Sequence, residues 1–237
     1  MAIPIEQGNR DPMAELTYTD DKLLIFDPGK SRSTCHVFIS QQSPVEERNL
    51  GRLYLLAEIA TADRVNIDII GAVRDEFRSS YYHTDDLKIE TAFEKALERV
   101  NQRIADMVGD YDTNWLDRFS AVAMVIKNDT LYLSAVGKLH VFLIRGGRIT
   151  SILDSTETPT FGSEPINPLK AFSNVISGTL QTDDTVLTCT PSLLDYISQE
   201  KLKRMVSENA PQRAVSLLDS LLQENVGHTA FAALIVT

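Results

Sequence analysis

Among the side chains best suited to hold a transition metal are Cys35, His36, Glu58, His140 and His228, since thiolate and imidazole are the ligands zinc prefers. Their spacing makes no HxxxH or CxxC pair, so a metal would have to be assembled by the fold and not by a local motif. The bland alternative is a set of scattered rim histidines. Templates for other chemistry are missing: there is no GxSxG, GxxxxGK[ST] or HExxH, and no GxGxxG after a strand. Removal of Met1 would expose Ala2, whose methyl group cannot act as an N-terminal nucleophile. Tyr81, Tyr82 and the lone Trp115 are expected to pack at helix ends and loops and not against a ligand.

Bulk composition narrows the classes. A formal charge of −10 over 237 residues disfavours nucleic acid, which needs a basic face to displace counterions, and disfavours anionic lipid. Hydrophobic content of 43% with 24% charged residues is ordinary globular composition. The opening MAIPIEQGNRDPM lacks the apolar run of a signal peptide. No stretch approaches the roughly 18 apolar residues of a membrane span. Cys35 and Cys189 stand far apart, as expected of small buried thiols in a reducing compartment. A soluble cytoplasmic protein is the expectation.

The elements that must position these residues follow from periodicity and turn signals. Residues 1–20 read as a loose polar arm, and 21–237 as one domain. β-branched and aromatic runs predict strands at Leu23–Asp27, Thr34–Ser40 and Arg52–Ile59. Val65, Ile69, Val73 and Phe77 recur every four residues, predicting a helix over Thr61–Tyr81. Thr84 is placed to cap a second helix reaching Val108, with Asp85 and Asp86 at the positive end of its dipole.

Two hairpins come next, Phe119–Lys127 with Thr130–Val136 around Asn128-Asp129, and Leu139–Arg145 with Arg148–Leu153 around Gly146-Gly147. Asp154–Lys170, with three prolines, reads as a long loop. Strands at Ala171–Ser177 and Thr185–Thr190, two or three helices from Pro191 to Asn225, and a last strand at Thr229–Val236 complete the chain. Phe93, Ile104, Leu218 and Leu221 are expected in the core. The absence of βαβ alternation excludes a doubly wound parallel sheet and points to an α+β fold of antiparallel sheets covered by helix pairs.

This order, with the phrasing of five segments, resembles the protein phosphatase 2C (metal-dependent, PPM-type) family over about residues 20–237. Leu53-Tyr54-Leu55-Leu56-Ala57-Glu58 stands where that family has a strand ending in Ala-Asp-Gly. Ala92-Phe93 matches its Ala-Phe helix, and Leu131–Val136 with Gly137 its Val-Gly-Asp-Ser-Arg strand. Val186–Thr190 with Leu193, Asp195, Tyr196 and Ser198 resembles its Cys-Thr-Asp-Gly-Leu-Trp-Asp phrase, and the strand after Thr229 its Asp-Asn-Ile-Thr terminus. The resemblance implies a four-layer αββα sandwich, with two antiparallel sheets flanked by antiparallel helix pairs. It places the site at one end of the sheets, where aspartates hold two divalent ions.

Most of those ligand types are missing at the matching positions. The first aspartate falls at Cys35 or His36. Glu58 keeps one carboxylate, followed by Ile59 in place of the ligating glycine. Pro191 and Ser192 replace Asp-Gly, Thr229 or Ala230 stands for Asp-Asn, and Lys138 replaces the aspartate after Gly137. Arg32 is a candidate for the family's N-terminal phosphate-binding arginine, without a flanking motif to anchor it. Thr190-Pro191 also has a purely structural reading, an N-cap followed by proline at the first helical turn.

The resemblance and its departures imply a catalytically inactive pseudophosphatase without metal or other cofactor, an interaction, scaffold or regulatory module for a protein partner. Two alternatives stay open. One is a metal-dependent serine/threonine phosphoprotein phosphatase with an unusual metal set built on Glu58. The other is a metal-independent sensor of a phosphorylated ligand, in which Lys138 would hold phosphate as a point charge.

Overall fold

The computed structural model describes residues 17–41, 45, 49–84, 88–110, 113–153, 166–223 and 228–237. Residues 1–16 of the expected arm, Asp85 and Asp86, 154–165 of the expected loop, and 224–227 lie outside the described residues. Among the described residues ten strands form two five-stranded sheets in which every pairing is antiparallel. Strands β1 (Asp20–Ile25), β10 (Phe231–Val236), β9 (Thr185–Cys189), β6 (His140–Arg145) and β7 (Arg148–Ser151) lie in that order in one sheet. In the other lie β2 (Thr34–Ile39), β3 (Arg52–Ile59), β4 (Phe119–Lys127), β5 (Thr130–Val136) and β8 (Ile176–Thr179).

Period-two alternation sorts each strand between two cores. From β3, Leu53, Leu55, Ala57 and Ile59 face α1 (Val65–Tyr82) and α2 (Ile89–Asp110), together with Ala121, Ala123 and Val125 of β4. Tyr54 and Leu56 turn the other way and meet Val122 and Met124 of their own sheet and Ala232, Leu234 and Val236 of β10 between the sheets. Phe231, Ala233 and Ile235 of β10 pack with Leu187, Leu193, Leu202, Ala214, Leu218 and Leu222, many of them on α3 (Pro191–Tyr196), α4 (Gln199–Ser207) and α5 (Pro211–Gln223). Three cores separate four layers, helices, sheet, sheet, helices. This is the αββα sandwich the resemblance implies.

The helix stripes fall as the spacing predicts. Ile69, Val73, Phe77 and Tyr81 are buried on α1, and Phe93, Ile104 and Leu218 are fully buried. Leu221 is only partly buried; Leu222, four residues after Leu218, carries the inward line Ala214–Leu218–Leu222. Tyr81, Tyr82 and Trp115 are buried.

Several boundaries differ from the expectation. β1 begins at Asp20, because its pairing with β10 extends to Val236, and Asp27 instead opens a turn by accepting the backbone N–H of Ser31. α2 starts at Ile89, five residues after Thr84. Of the expected Ala171–Ser177 strand only Ile176 and Ser177 pair with β5, and the pairing runs on to Thr179. Ala171 and Phe172 instead enter the α2 core, where Asn101 donates to the Phe172 carbonyl (2.8 Å) and accepts its N–H (2.9 Å). In the hairpins, Asn128 (φ 51°), Gly146 (φ 54°) and Gly147 (φ 74°) adopt the positive φ that tight turns require.

Candidate functional site

Antiparallel register builds one end of the sandwich. Cys35 on β2 pairs with Glu58 on β3, and Glu58 pairs with Ser120 on β4, so the three form a row across the sheet. Glu58 shares the side of β3 used by Tyr54 and Leu56, which directs it between the sheets. The row ends at Gly137, where φ is +80° and any Cβ would sit 2.3 Å from Ser120 Oγ, so only glycine fits. The Ser120 hydroxyl accepts the N–H of Lys138 (3.1 Å), and the Lys138 side chain is exposed.

Cys35 and Glu58 come together on neighbouring strands, joined by a thiol hydrogen bond. Cys35 Sγ donates to Glu58 Oε1 at 3.8 Å, and Ser33 Oγ lies 3.9 Å from the same sulfur. Burial pushes the Glu58 carboxyl above the usual carboxylate value, opposed by hydrogen bonds from Ser33 and Cys35. Burial, and then the Glu58 charge, pushes the Cys35 thiol well up. A protonated thiol is neither a nucleophile nor a metal ligand.

The remaining positions are used for packing and backbone satisfaction. Ile59 is fully buried against the helices, and its carbonyl accepts the N–H of Thr61 at 2.7 Å. Thr61 is in turn held by Asn66, whose amide donates to the Thr61 carbonyl (2.9 Å) and hydroxyl (3.0 Å). Pro191 occupies the first position of α3. Thr190 does not cap that helix with its side chain. Its hydroxyl is drawn instead to β10, where it accepts the N–H of Ala232 (3.2 Å), and to Ser192 Oγ (3.0 Å). Ser192 donates to the Ala230 carbonyl (2.8 Å), so the start of α3 and the start of β10 are joined by hydroxyls. Thr229 Oγ1 lies 3.5 Å from the Tyr196 hydroxyl.

The histidines do not converge. His36 projects from the helix side of β2, with its Nε2 3.4 Å from Arg74 Nη1. His140 stacks on Phe142 on the helix side of the other sheet, with ring centroids 5.7 Å apart. His228 directs Nδ1 to the Lys30 carbonyl (3.1 Å), while its own carbonyl accepts the Arg32 N–H (2.8 Å). Among the described residues no three His, Cys, Asp or Glu side chains gather as a metal site. Two divalent ions, each needing several hard oxygen ligands, do not fit the donor set that the described residues present.

Sequence reasoning missed Ser33, Ser120 and the Thr190–Ser192 bridge. Ser120 could have been found by pairing β3 with β4 in register from the hairpin. Ser33 and the bridge depend on loop and inter-element geometry that carries no sequence signature.

No protein-family model and no curated protein matches this chain. Solved structures do. PppA, a key regulatory component of T6SS in Pseudomonas aeruginosa, superposes with a TM-score of 0.67 at 14% identity, over 94% of this chain and 98% of that one. The catalytic domain of the serine/threonine protein phosphatase PstP, in complex with 2 manganese ions, gives 0.65 at 13% identity, over 93% and 96%. The serine/threonine phosphatase Stp1 from Staphylococcus aureus gives 0.69 at 13% identity, over 94% and 96%. The fold is therefore that of the PPM-type phosphatases, the protein phosphatase 2C fold. At such identities the likeness establishes architecture and not activity.

Proposed function

We propose that this chain is a phosphatase 2C-like domain, one unit over residues 21–237, that acts as an interaction or regulatory module and does not hydrolyse phosphate esters. The observation that carries the reading is the state of Glu58. It is the one carboxylate at the matched metal positions, and it is half-buried, hydrogen-bonded to a protonated thiol and shifted toward its neutral form. A carboxyl group in that state competes poorly with the hydration shell of a hard cation. The other matched positions, Ile59, Lys138, Pro191, Ser192 and Thr229, supply no acidic side chain. Without bound metal no water is acidified and no positive centre faces the developing charge. The regulatory role of the fold-mate PppA in its own system supports a partner protein as the target. No helix among the described residues is long and apolar enough to cross a membrane, and Cys35 and Cys189 are free buried thiols. Both features suit a cytoplasmic setting.

The test is calorimetric titration with manganese and magnesium, paired with a phosphomonoester hydrolysis assay in the same buffers. No saturable heat at the cleft and no turnover above blank are expected. Turnover that requires manganese and disappears in Glu58→Ala would overturn the reading in favour of a working phosphatase with an unusual metal set.

A further inference from the structure

Outside the cleft, a cluster of charge lies where α1 packs on the open edge of β2. His36 is half-buried there, and Arg74 of α1 brings Nη1 to 3.4 Å from its Nε2. The other two Arg74 nitrogens are taken by one neighbour, since Nε and Nη2 donate to the two Asp75 oxygens at 2.9 and 3.0 Å. Nη1 is thereby left turned toward the ring. Lys22 reaches across from β1 and donates to the Val37 carbonyl on the same strand edge (3.2 Å). Arg78, one helical turn beyond Arg74, acts on the same Asp75 carboxylate. Among the described residues, Arg74, Arg78 and His36 act on the Asp75 carboxylate and Lys22 acts on His36, in a chain whose net charge is −10. Burial, and then the charges of Arg74 and Lys22, hold the imidazole in its neutral form, with Asp75 opposing them. Among these described groups the cations outnumber the carboxylate, and a like-charge grouping of this kind is relieved by an anion.

We propose that this β2–α1 edge, centred on His36 Nε2 and Arg74 Nη1, is a docking site for an oxyanion, a carboxylate or phosphomonoester, displayed by a partner protein. Arg74 supplies a charge-assisted donor whose planar geometry suits such groups. Arg78 and Lys22 supply the surrounding field. Lys22 also blocks the strand edge itself, which disfavours β-augmentation as the docking mode. The site is independent of the cleft and stands whether or not the cleft hydrolyses anything.

The full chain is titrated with inorganic phosphate, and separately with an acidic peptide in unmodified and phosphoserine forms. The His36 ring and Arg74 Nε–H signals are followed by NMR. Saturable shifts at these groups are expected, weakening as salt is raised. Binding should weaken about fivefold or more in Arg74→Ala, the equivalent of roughly 1 kcal/mol, and again when Arg78→Ala is added. Both side chains leave the core untouched, so the melting temperature should stay within a degree or two, as for surface substitutions. Response to the phosphoserine form alone assigns a phosphomonoester, and equal response to both peptides assigns carboxylates. Three results would each refute the site: no saturable shift with any of the probes, affinity unchanged in the double variant, or shifts confined to Glu58 and Lys138 at the cleft.

Discussion

Replacing Glu58 by glutamine removes the charge while keeping the shape, and it separates a leftover acid from a working metal ligand. The native carboxyl is raised in pKa chiefly by burial, with Ser33 and Cys35 partly compensating. Below the carboxyl's unfolded-state pKa both states hold the proton, so the wild type suffers no penalty. As pH rises through that value, the unfolded chain ionises freely while the native state resists. The native state loses stability until the folded pKa is passed, and the loss is constant above it. Glutamine does not titrate, so its advantage is absent near pH 4 and largest at neutral pH.

The size follows from the surroundings. Burying an incompletely paired polar group costs about 1–3 kcal/mol. Glu58 keeps some exposure and has two compensating hydrogen bonds, which places the gain near 1 kcal/mol. For a chain of this length that is about 2–4 °C in melting temperature. Thermal melts of both proteins at pH 4 to 8, with and without manganese, supply the measurement. A variant less stable at pH 7, a gain equally large at pH 4, or manganese stabilising the wild type but not Glu58→Gln would each refute the reasoning.

Leu218→Ala should cost about 2–5 kcal/mol in chemical denaturation, because Leu218 is fully buried between α5 and the β10 sheet. Asn101→Ala strips two hydrogen bonds from the Phe172 backbone and should cost about 1–3 kcal/mol. Faster amide exchange at Phe172, with the hairpin amides unchanged, is the specific readout. Cys35 and Cys189 should resist a thiol reagent at pH 8 in the native state and react at the rate of unfolding. Burial pushes the Cys189 thiol up to about 12 and the Cys35 thiol well up; rapid labelling of either would contradict its placement.

Much of the architecture was written locally. The four-residue recurrence from Val65 to Phe77 and the alternation in Arg52–Ile59 name the buried side of each element before any partner is known. Asn128-Asp129 and Gly146-Gly147 mark their turns, because few other residues tolerate the backbone there. The same residue types carry the expectation that Pro191, Lys138 and Thr229 stand where the resembled family has aspartates. What the sequence could not decide was direction and partnership. His36 and His140 look equivalent to Cys35 as ligand types, yet the register sends them to the outer faces of their sheets while Cys35 meets Glu58 between the sheets. A one-residue step along a strand reverses the face, and only the pairing of whole sheets fixes which face is inside. Ala171 and Phe172, apolar like the strand they precede, leave the sheet because Asn101, distant in sequence, offers their backbone a buried partner. The joining of Thr190 and Ser192 to β10 likewise exists only once the chain's last strand lies beside β9, a contact across some forty residues that no local pattern encodes.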